Sequence, residues 1–397
     1  MNSGIFSNFV RLYTETKPKF MAVQVLKVIS KKDMKTFVRF GNKLYKGNKY
    51  YVPSMPLDDM ATFDKGHNAA FAFSEAELYL AYKDGKVVGR VAAIINNKAN
   101  DAWNVKQVRF GWIDFIDDME VSGALLDAVI EFGRKHGMTQ IVGPLGFTDF
   151  DPEGMLVEGF DRISTMALIY NHPYYPEHMK KHGYTKETGW LENRITIPEQ
   201  IPEKFNRVAE VVHQKYNLKI RKFTTRQIRK EGYGRKFFNL INKTYCQLYG
   251  FSLLSDKQID DFVNVYLSLI DARMLTFIED ENGNLVAAGI SMPSIAEALQ
   301  KCRGEIFPFG WWHLLKAMFW KRSDTVELLL IGVMPEWQSK GVVALLFQDL
   351  IATYNKLGFK YAETNAMLEN NVKIQAMFEI FDKEIHKRRW IFGKEIE

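Results

Sequence analysis

The sequence predicts an α/β (α+β) protein with two tandem domains, each a mixed central sheet flanked by helices. The order strand, helix, hairpin, strand, helix, strand occurs twice along 397 residues. Short matches recur at nearly constant spacing: residues 42–45 (NKLY) and 242–245 (NKTY) lie 200 positions apart. The Asp-Gly turn at 84–85 and the Asn-Gly turn at 282–283 lie 198 apart. A repeat of this length indicates two copies of one domain rather than a solenoid of short units.

The repeat sets the predicted domain boundaries. We expect an N-terminal extension (residues 1–20), a first domain (21–197) and a second domain (198–397). The glycines that end the matching helices, Gly137 and Gly358, lie 221 apart. This larger spacing predicts an insertion around residues 301–322.

The elements of the first domain follow from hydrophobic periodicity. Apolar residues at helical spacing predict a helix over 32–45, and alternating patterns around an Asp-Gly turn predict a hairpin. Residues 50–68 and 143–154 contain Pro, Gly and Asp and are predicted loops. The predicted strands are 23–29, 78–82, 87–95, 108–116 and 140–143, and a second helix covers 121–132.

The second domain repeats this order. Its predicted strands are 218–222, 274–279, 285–291, 326–333 and 360–365, and its predicted helices are 235–249, 343–357 and 371–381. Residues 308–322 are aromatic and then basic. Such a segment suits a membrane surface, a tunnel for an apolar acceptor, or a helix packed on the sheet. We favour the packed helix.

Composition excludes several classes of protein. A net charge of +6 is mild for this length and does not indicate a nucleic-acid partner. Cys246 and Cys302 cannot build a disulfide framework or a zinc site, and the eight histidines show no metal-ligand spacing. No apolar run is long enough to span a bilayer, and no signal peptide is evident. We therefore expect a cytoplasmic protein without a metal; its oligomeric state is not readable.

The most informative stretch begins with the apolar run 326–333. A polar turn, 335–341, follows and leads into the predicted helix at 343. The first N–H groups of a helix lack acceptors inside the helix, and they lie at the positive end of its dipole. A strand that runs through a Gly-containing turn into a helix is therefore a place to bind a phosphate group.

These residues resemble the GCN5-related N-acetyltransferase superfamily. Its pyrophosphate signature, Gln/Arg-x-x-Gly-x-Gly/Ala, corresponds to Gln338-Ser339-Lys340-Gly341-Val342-Val343, with Val343 departing from the pattern. The resemblance implies acetyl-CoA, or another acyl-CoA, as co-substrate. It implies that these six residues hold the pyrophosphate and that Ile331 and Val333 pair with the pantetheine arm. Asn365 and Asn371 are further candidate contacts, with capping of a strand end and of a helix as the alternative.

The same resemblance implies a catalytic base. Histone-type members carry a glutamate eleven residues before the motif glutamine, and Glu327 stands eleven residues before Gln338. A carboxylate in an apolar strand has a raised pKa, as a base that works near neutral pH needs. In many members a tyrosine seven residues after the helix asparagine protonates the thiolate. Here that place holds Phe378, which cannot donate a proton.

The first domain resembles the same fold without the cofactor motif, because its turn (117–123) is acidic. We expect substrate contacts from its loop, at Asp149 and Asp151, and from Tyr174 and Tyr175. Turn capping is the alternative for the two aspartates. Residues 387–389 are basic and suit either the 3′-phosphate of CoA, a nucleic acid or a solvated chain end.

The sequence thus predicts an N-acetyltransferase that moves an acetyl or other acyl group to a primary amine of a small molecule or peptide. The tandem arrangement also resembles N-myristoyltransferases and Fem-type aminoacyltransferases. Aminoacyl or long-chain acyl transfer is therefore one alternative. A non-catalytic acyl-CoA-binding protein is another.

Overall fold

The computed structural model describes residues 22–396, apart from 266, 268, 269 and 321. The predicted extension, residues 1–20, lies outside the described part. We call residues 22–197 the first half and residues 198–396 the second half. The first half contains β1 (Gln24–Lys27), α1 (Lys31–Leu44), α2 (Pro56–Thr62), β2 (Ser74–Lys83), β3 (Lys86–Asn96), α3 (Asn97–Trp103), β4 (Gln107–Phe115), α4 (Met119–Lys135), β5 (Gln140–Gly143), β6 (Met155–Glu158), α5 (Tyr174–Lys181) and β7 (Thr185–Thr196).

The second half repeats the arrangement with more helices. It contains α6 (Glu203–Tyr216), β8 (Lys219–Arg221), α7 (Thr225–Lys230), α8 (Tyr233–Tyr245), α9 (Asp256–Val265), β9 (Leu275–Glu279), β10 (Leu285–Pro293), α10 (Ala296–Cys302), α11 (Gly310–Leu315), β11 (Thr325–Val333), α12 (Val343–Leu357), β12 (Tyr361–Thr364), β13 (Met367–Leu368), α13 (Val372–Phe378) and β14 (Lys383–Glu395). One π-helical turn, Lys316–Trp320, extends α11.

One continuous sheet joins the two halves. Its strand order is β1-β2-β3-β4-β5-β14-β7-β12-β11-β10-β9-β8, with β6 paired to β14 and β13 paired to β7. The mixed sheet with flanking helices confirms the predicted fold class. The hairpins β2–β3 and β9–β10 occur where the Asp-Gly and Asn-Gly turns predict them, and both turn glycines have positive φ.

The halves exchange their last strands. β7 pairs with β12 of the second half, and β14 pairs with β5 of the first half. The two exchanged strands also pair with each other along ten register positions, from Lys383↔Ile195 to Gly393↔Thr185. Each half therefore completes its sheet with a strand from the other. The predicted domain boundary at residue 197 stays a prediction, because β7 and β14 each pair with a strand on the other side of that boundary.

Each half contains a pair of parallel strands that diverge. The β11–β12 pairing ends at Leu328↔Thr364, although β11 continues to Val333. The β4–β5 pairing ends at Arg109↔Val142, although β4 continues to Phe115. We call the point where the two strands separate the fork. Just beyond the fork, β11 and β4 each carry a bulge. The bulge shifts the register of β11 with β10 and that of β4 with β3. A bulge bends a strand, so it helps to separate the two strands at the fork.

Helices cover both faces of the sheet near the second fork. Val326 and Leu328 pack with Leu350 of α12 on one face. Beyond the bulge, Leu330 packs with the aromatic cluster of α8 on the other face. Side chains alternate between the faces of a strand, so Glu327 lies on the face opposite α12.

Several elements were not predicted. α2 lies inside the predicted loop 50–68, where Pro56 begins the helix. α6 and the exchanged strand β7 were also missed. Apolar and polar residues alternate only loosely along β7, because both faces of the strand are buried over much of its length. A strand that is buried on both faces lacks the period of two from which strands are predicted.

Candidate active site at the fork of β11 and β12

Glu327 is a buried carboxyl group at the fork. It is the third residue of β11 and pairs in register with Glu363 of β12. Its exposed fraction is 3%, and neither carboxylate oxygen has a hydrogen-bond partner among the described residues. Burial raises the pKa of Glu327 to about 7; the nearby Ser294 hydroxyl, which does not reach hydrogen-bond geometry with either oxygen, opposes this rise, and Glu363 adds to it. A carboxyl group with this pKa can accept a proton near neutral pH.

A buried ion network lies beside Glu327. Glu363 pairs with Arg194 at 2.8 Å and with Lys387 at 3.5 Å. Glu192 pairs with Lys387 at 3.2 Å and with Arg389. Burial opposes ionisation of Glu192, but Arg389 and Lys387 outweigh it and lower its pKa to about 2. The charges of the network are therefore paired, whereas the carboxyl group of Glu327 is left to titrate.

This network changes the interpretation of the basic segment 387–389. Lys387 and Arg389 have exposed fractions of 1% and 0%. The expectation of a solvated basic end, or of a contact with CoA or nucleic acid, is wrong for these two residues. They lie on β14 where it crosses between the halves; Glu192 of β7 pairs with both of them, and Glu363 of β12 pairs with Lys387 as well. Arg388 alternates to the outside and pairs with Glu158 at 2.9 Å.

Beyond Leu328, the edge of β11 that faces away from β10 has no strand partner among the described strands. The carbonyl of Ile331 accepts from the Tyr245 hydroxyl at 3.1 Å, and that of Val333 accepts from the Gln338 side chain at 3.2 Å. In an antiparallel ladder the N–H and C=O of one residue point the same way. Ile331 and Val333 therefore direct their backbone polar groups away from β10 and into the gap. An extended chain such as a pantetheine arm can pair with this edge.

The predicted phosphate turn leads into α12. Gly341 has a φ of 77°, and α12 begins at Val343 without a side-chain cap. The backbone N–H groups of Ser339, Gly341 and Val342 donate to no acceptor within the described chain. The side chain of Val343, which departs from the motif, packs against the apolar clusters beside α12. Free donors at a helix start suit a pyrophosphate group.

Two lysines flank this turn. The Lys340 ammonium lies 4.2 Å from the centre of the Trp337 ring. Lys373, at the start of α13, donates to the Gln338 side chain at 3.2 Å. Both positive charges are close enough to favour an anionic ligand at the turn.

The two candidate asparagines have structural roles. Asn365 follows the last β11–β12 pair, and its amide reaches the carbonyl of Leu329 at 3.4 Å, so it spans the fork. Asn371 caps α13 by accepting from the N–H of Ile374 at 3.2 Å. Phe378 is 2% exposed and packs against Phe347, with 5.6 Å between ring centroids. The position of the family tyrosine therefore belongs to the core.

The first half lacks a carboxyl group at the matching position. Arg109 is the third residue of the β4–β5 pairing, as Glu327 is of β11–β12. The guanidinium donates to the carbonyls of Gly146 and Gly250. Arginine stays protonated in proteins and cannot act as a base. The first half therefore holds a structural cation where the second half holds Glu327.

The loop 143–154 of the first half borders the second. Asp149 accepts from the N–H of Ser252 at 3.3 Å, and Asp151 accepts from Thr148 at 2.9 Å. Burial raises the pKa of both aspartates to about 6. Phe150 packs into the aromatic cluster of the second half that also receives Leu329 and Leu330 of β11. The loop therefore reaches the face of β11 that carries Glu327.

Tyr174 and Tyr175 lie elsewhere. Both belong to the core of the first half. The Tyr174 hydroxyl donates to the carbonyl of Phe115 at 2.6 Å, and Tyr175 bonds Tyr45 at 2.9 Å. Tyr175 also lines a cavity of about 90 Å³ beside the buried pair Arg90–Asp114. The structure does not bring these tyrosines together with Glu327.

Sequence reasoning missed Tyr245 and Glu363 as neighbours of the site, and it assigned Lys387 to CoA, nucleic acid or solvent instead of to Glu363. Tyr245 was visible only as the repeat match of Tyr45. Both tyrosines reach the diverging strand of their own half: Tyr45 bonds Asp114 of β4 at 3.0 Å, and Tyr245 bonds Ile331 of β11. Glu363 and Lys387 lie on separate strands, β12 and β14, and no local sequence pattern predicts that they pair.

Two negative findings concern other kinds of site. No helix in the described part of the chain is long and apolar enough to cross a membrane. Among the described residues no group of three or more His, Cys, Asp or Glu side chains could hold a metal ion. A groove of about 780 Å³ lies beside β2 and contains none of the predicted site residues.

Comparison of the sequence with known proteins finds relatives of low identity that cover most of the chain. No protein-family profile matches the chain. Protein YghO of Escherichia coli (strain K12) is 24% identical over 377 residues, which cover 93% of this chain and 94% of that protein. The bacterial ceramide synthase of Caulobacter vibrioides (strain NA1000 / CB15N) is 23% identical over 365 residues, or 88% of this chain and 91% of that one.

Solved structures identify the fold. A tandem GNAT protein from the clavulanic acid biosynthesis pathway superposes with a TM-score of 0.53 at 10% identity, covering 94% of this chain and 99% of that one. A GCN5-related N-acetyltransferase from Sphaerobacter thermophilus gives 0.51 at 13% identity, covering 94% and 96%. The chain therefore has the tandem fold of the GCN5-related N-acetyltransferases, as the sequence resemblance implied.

Proposed function

We propose that this protein is an N-acyltransferase that moves an acyl group from acyl-CoA to a primary amine at the fork of β11 and β12. The observation that carries the proposal is Glu327, a buried carboxyl group without a hydrogen-bond partner whose pKa is about 7. The fold supports acyl transfer in general. Because one fold serves many functions, the site and not the fold supports the chemistry.

Glu327 would act as the general base. The acceptor amine must lose a proton before its nitrogen can attack, and the ionised Glu327 takes that proton. A carbon–nitrogen bond then forms at the acyl carbon, and the carbon–sulfur bond breaks. The thiolate leaves with the electron pair. As the amide forms, the nitrogen loses its surplus proton, and this proton neutralises the thiolate, so that the products are an amide and the free thiol.

Acyl-CoA supplies the thioester that makes the acyl carbon reactive. The edge of β11 at Ile331 and Val333 would hold its extended arm. The turn from Gln338 to Val343 would hold its pyrophosphate, supported by the free N–H groups there. Asn365 and Asn371 would contact acyl-CoA from beside the fork and from the start of α13, where their hydrogen bonds place them.

The first half would contribute to the acceptor side. Asp149 and Asp151 lie on the loop that shares an apolar cluster with Leu329 and Leu330. As carboxylates they would attract a cationic acceptor amine. Tyr174 and Tyr175 have no comparable support, and the proposal does not assign them a role.

The second candidate function is transfer of a long-chain acyl group, or transfer to a lipid amine, in place of acetyl transfer to a small polar amine. Leu329, two residues from Glu327, packs against a separate apolar cluster formed by Met292, Leu299 and the side chains beneath α11. This surface suits a hydrocarbon chain beside the base. The ceramide synthase relative, whose name denotes formation of an N-acylated lipid amine, favours the same candidate.

The test is a donor and acceptor screen with the full chain. Acyl-CoA donors from acetyl to palmitoyl are combined with small amines, peptides and a long-chain amino alcohol, and released thiol is measured. Thiol release that needs both substrates, with an amide confirmed by mass spectrometry, supports the proposal, and the preferred donor length separates its two forms. CoA binding by titration calorimetry without turnover would establish the non-catalytic alternative. Turnover with aminoacyl-tRNA alone would establish the Fem-type alternative.

A further inference from the structure

The segment between α10 and β11 exposes six large aromatic side chains, which we call the aromatic surface. Their exposed fractions run from 43% to 74%, and Trp103 is the one other exposed Phe or Trp in the described chain. The rings contact each other: 5.7 Å separates the centroids of Trp312 and Trp320, and 6.0 Å those of Trp311 and Trp312. The aromatic surface consists of Phe307, Phe309, Trp311, Trp312, Phe319 and Trp320.

The segment that carries this surface is anchored. On its inner side, Leu314 and Met318 pack against the apolar cluster that includes Leu329. Arg322 closes the segment by donating to the carbonyl of Met318 at 3.1 Å and to Asp271 at 3.2 Å. The predicted packed helix is therefore present, but only its inner side is packed. Contiguous exposed aromatic side chains on an ordered segment mark an interaction surface.

The charge around the aromatic surface is positive. Residues 301–322 contain five Lys or Arg and one acidic residue. That acidic residue, Glu305, is neutralised by Arg39 at 2.9 Å. Arg303 and Lys316 are exposed. Trp and Phe beside Lys and Arg is the composition of segments that lie in the headgroup layer of an anionic bilayer.

We propose that the aromatic surface docks the protein on an anionic lipid bilayer. The aromatic rings of α11 and its π-helical turn enter the headgroup layer, and Arg303 and Lys316 contact acidic headgroups. The segment lies in the plane of the membrane and does not cross it. Docking itself does not depend on the acyl-transfer chemistry.

Docking also has a consequence for the acyl-transfer site, and this consequence rests on the proposed function. The apolar cluster beneath the aromatic surface includes Leu329, two residues from Glu327 along β11. A lipid amine that leaves the bilayer at this point would pass these apolar side chains on its way to the base. The amine and its hydrocarbon chain therefore stay out of bulk water.

The test is co-sedimentation of the full chain with vesicles of phosphatidylcholine alone and of phosphatidylcholine with phosphatidylglycerol. The variant replaces Trp311, Trp312 and Trp320 with serine. A matched control replaces three exposed apolar residues elsewhere, Leu26, Ile29 and Leu253, with serine. We expect wild type and control to bind the anionic vesicles and the variant to bind at least tenfold more weakly, with thermal unfolding unchanged.

A second variant, with Arg303 and Lys316 both replaced by glutamate, tests the charge without touching the rings. It should also weaken binding to the anionic vesicles. No binding of wild type to either vesicle, or equal binding by the tryptophan variant, would overturn the proposal. So would a dimer of wild type that the tryptophan variant converts to monomer without any vesicle binding. Thiol release from soluble substrates should be the same in wild type and the tryptophan variant, which separates failed docking from failed chemistry.

Discussion

Replacing Glu327 with glutamine removes one proton-accepting group and keeps the shape of the side chain. The proposed base role predicts that turnover falls by about 10²- to 10⁴-fold at neutral pH, the usual contribution of a general base. CoA affinity should stay within a factor of about two to three, because that ligand is held by the β11 edge and by the turn at Gly341. The rate of wild type should rise with pH through the Glu327 pKa of about 7.

The same substitution has a consequence for stability with a definite sign. The pKa of Glu327 is raised from its ordinary value of 4.5 to about 7 in the folded protein. Below pH 4.5 Glu327 is protonated in both the folded and the unfolded states, so it adds no pH dependence to the free energy of unfolding there. Above pH 7 the folded protein carries a buried charge that the unfolded chain solvates. The free energy of unfolding therefore falls as pH rises from 4.5 to 7, by about 3 kcal/mol in total.

The assay compares wild type with Glu327→Gln by urea unfolding at pH 5 and pH 8. Wild type should lose about 2–3 kcal/mol relative to the variant over this range. Glu281→Gln is the matched control, because Glu281 is exposed in the turn between β9 and β10 and should change neither stability nor rate. Two results would refute the reasoning: turnover by the Glu327→Gln variant within threefold of wild type, or a pH-dependent stability difference no larger than that of the control.

Three further predictions follow from other parts of the structure. Gly341→Glu should weaken CoA binding at least tenfold in titration calorimetry, whereas Gly283→Glu, which shares a φ of 77° but lies in an open turn, should leave it unchanged. Glu192→Gln leaves the fully buried Arg389 without a carboxylate partner and should cost about 3–5 kcal/mol in urea unfolding. Lys135→Met, which breaks an exposed pair, should cost less than about 1 kcal/mol. Cutting the chain after residue 197 should give fragments that aggregate alone and become soluble when co-expressed, because each lacks a sheet strand; a monomeric fragment with cooperative unfolding would contradict this.

The sequence by itself determined the repeat and most of the local elements. Hairpin turns, the strand 140–143 and the helix 343–357 are encoded by residues close in the chain, where periodicity and turn chemistry act directly. The spacing from Glu327 to Gln338 is also local, and so the family resemblance could nominate a base and a phosphate turn from the sequence. Both assignments stay predictions.

Only the tertiary structure decided what surrounds those residues. Strand exchange brings Lys387 and Glu192 together from positions 195 residues apart, and no local pattern reports such a pairing. The same exchange turned a basic chain end into a buried network, and tertiary packing placed Phe378 in the core. Which side of residues 307–320 is exposed also depends on what packs beneath α11. Local sequence specifies how a segment folds, whereas burial and charge pairing depend on the partners that the whole fold brings to it.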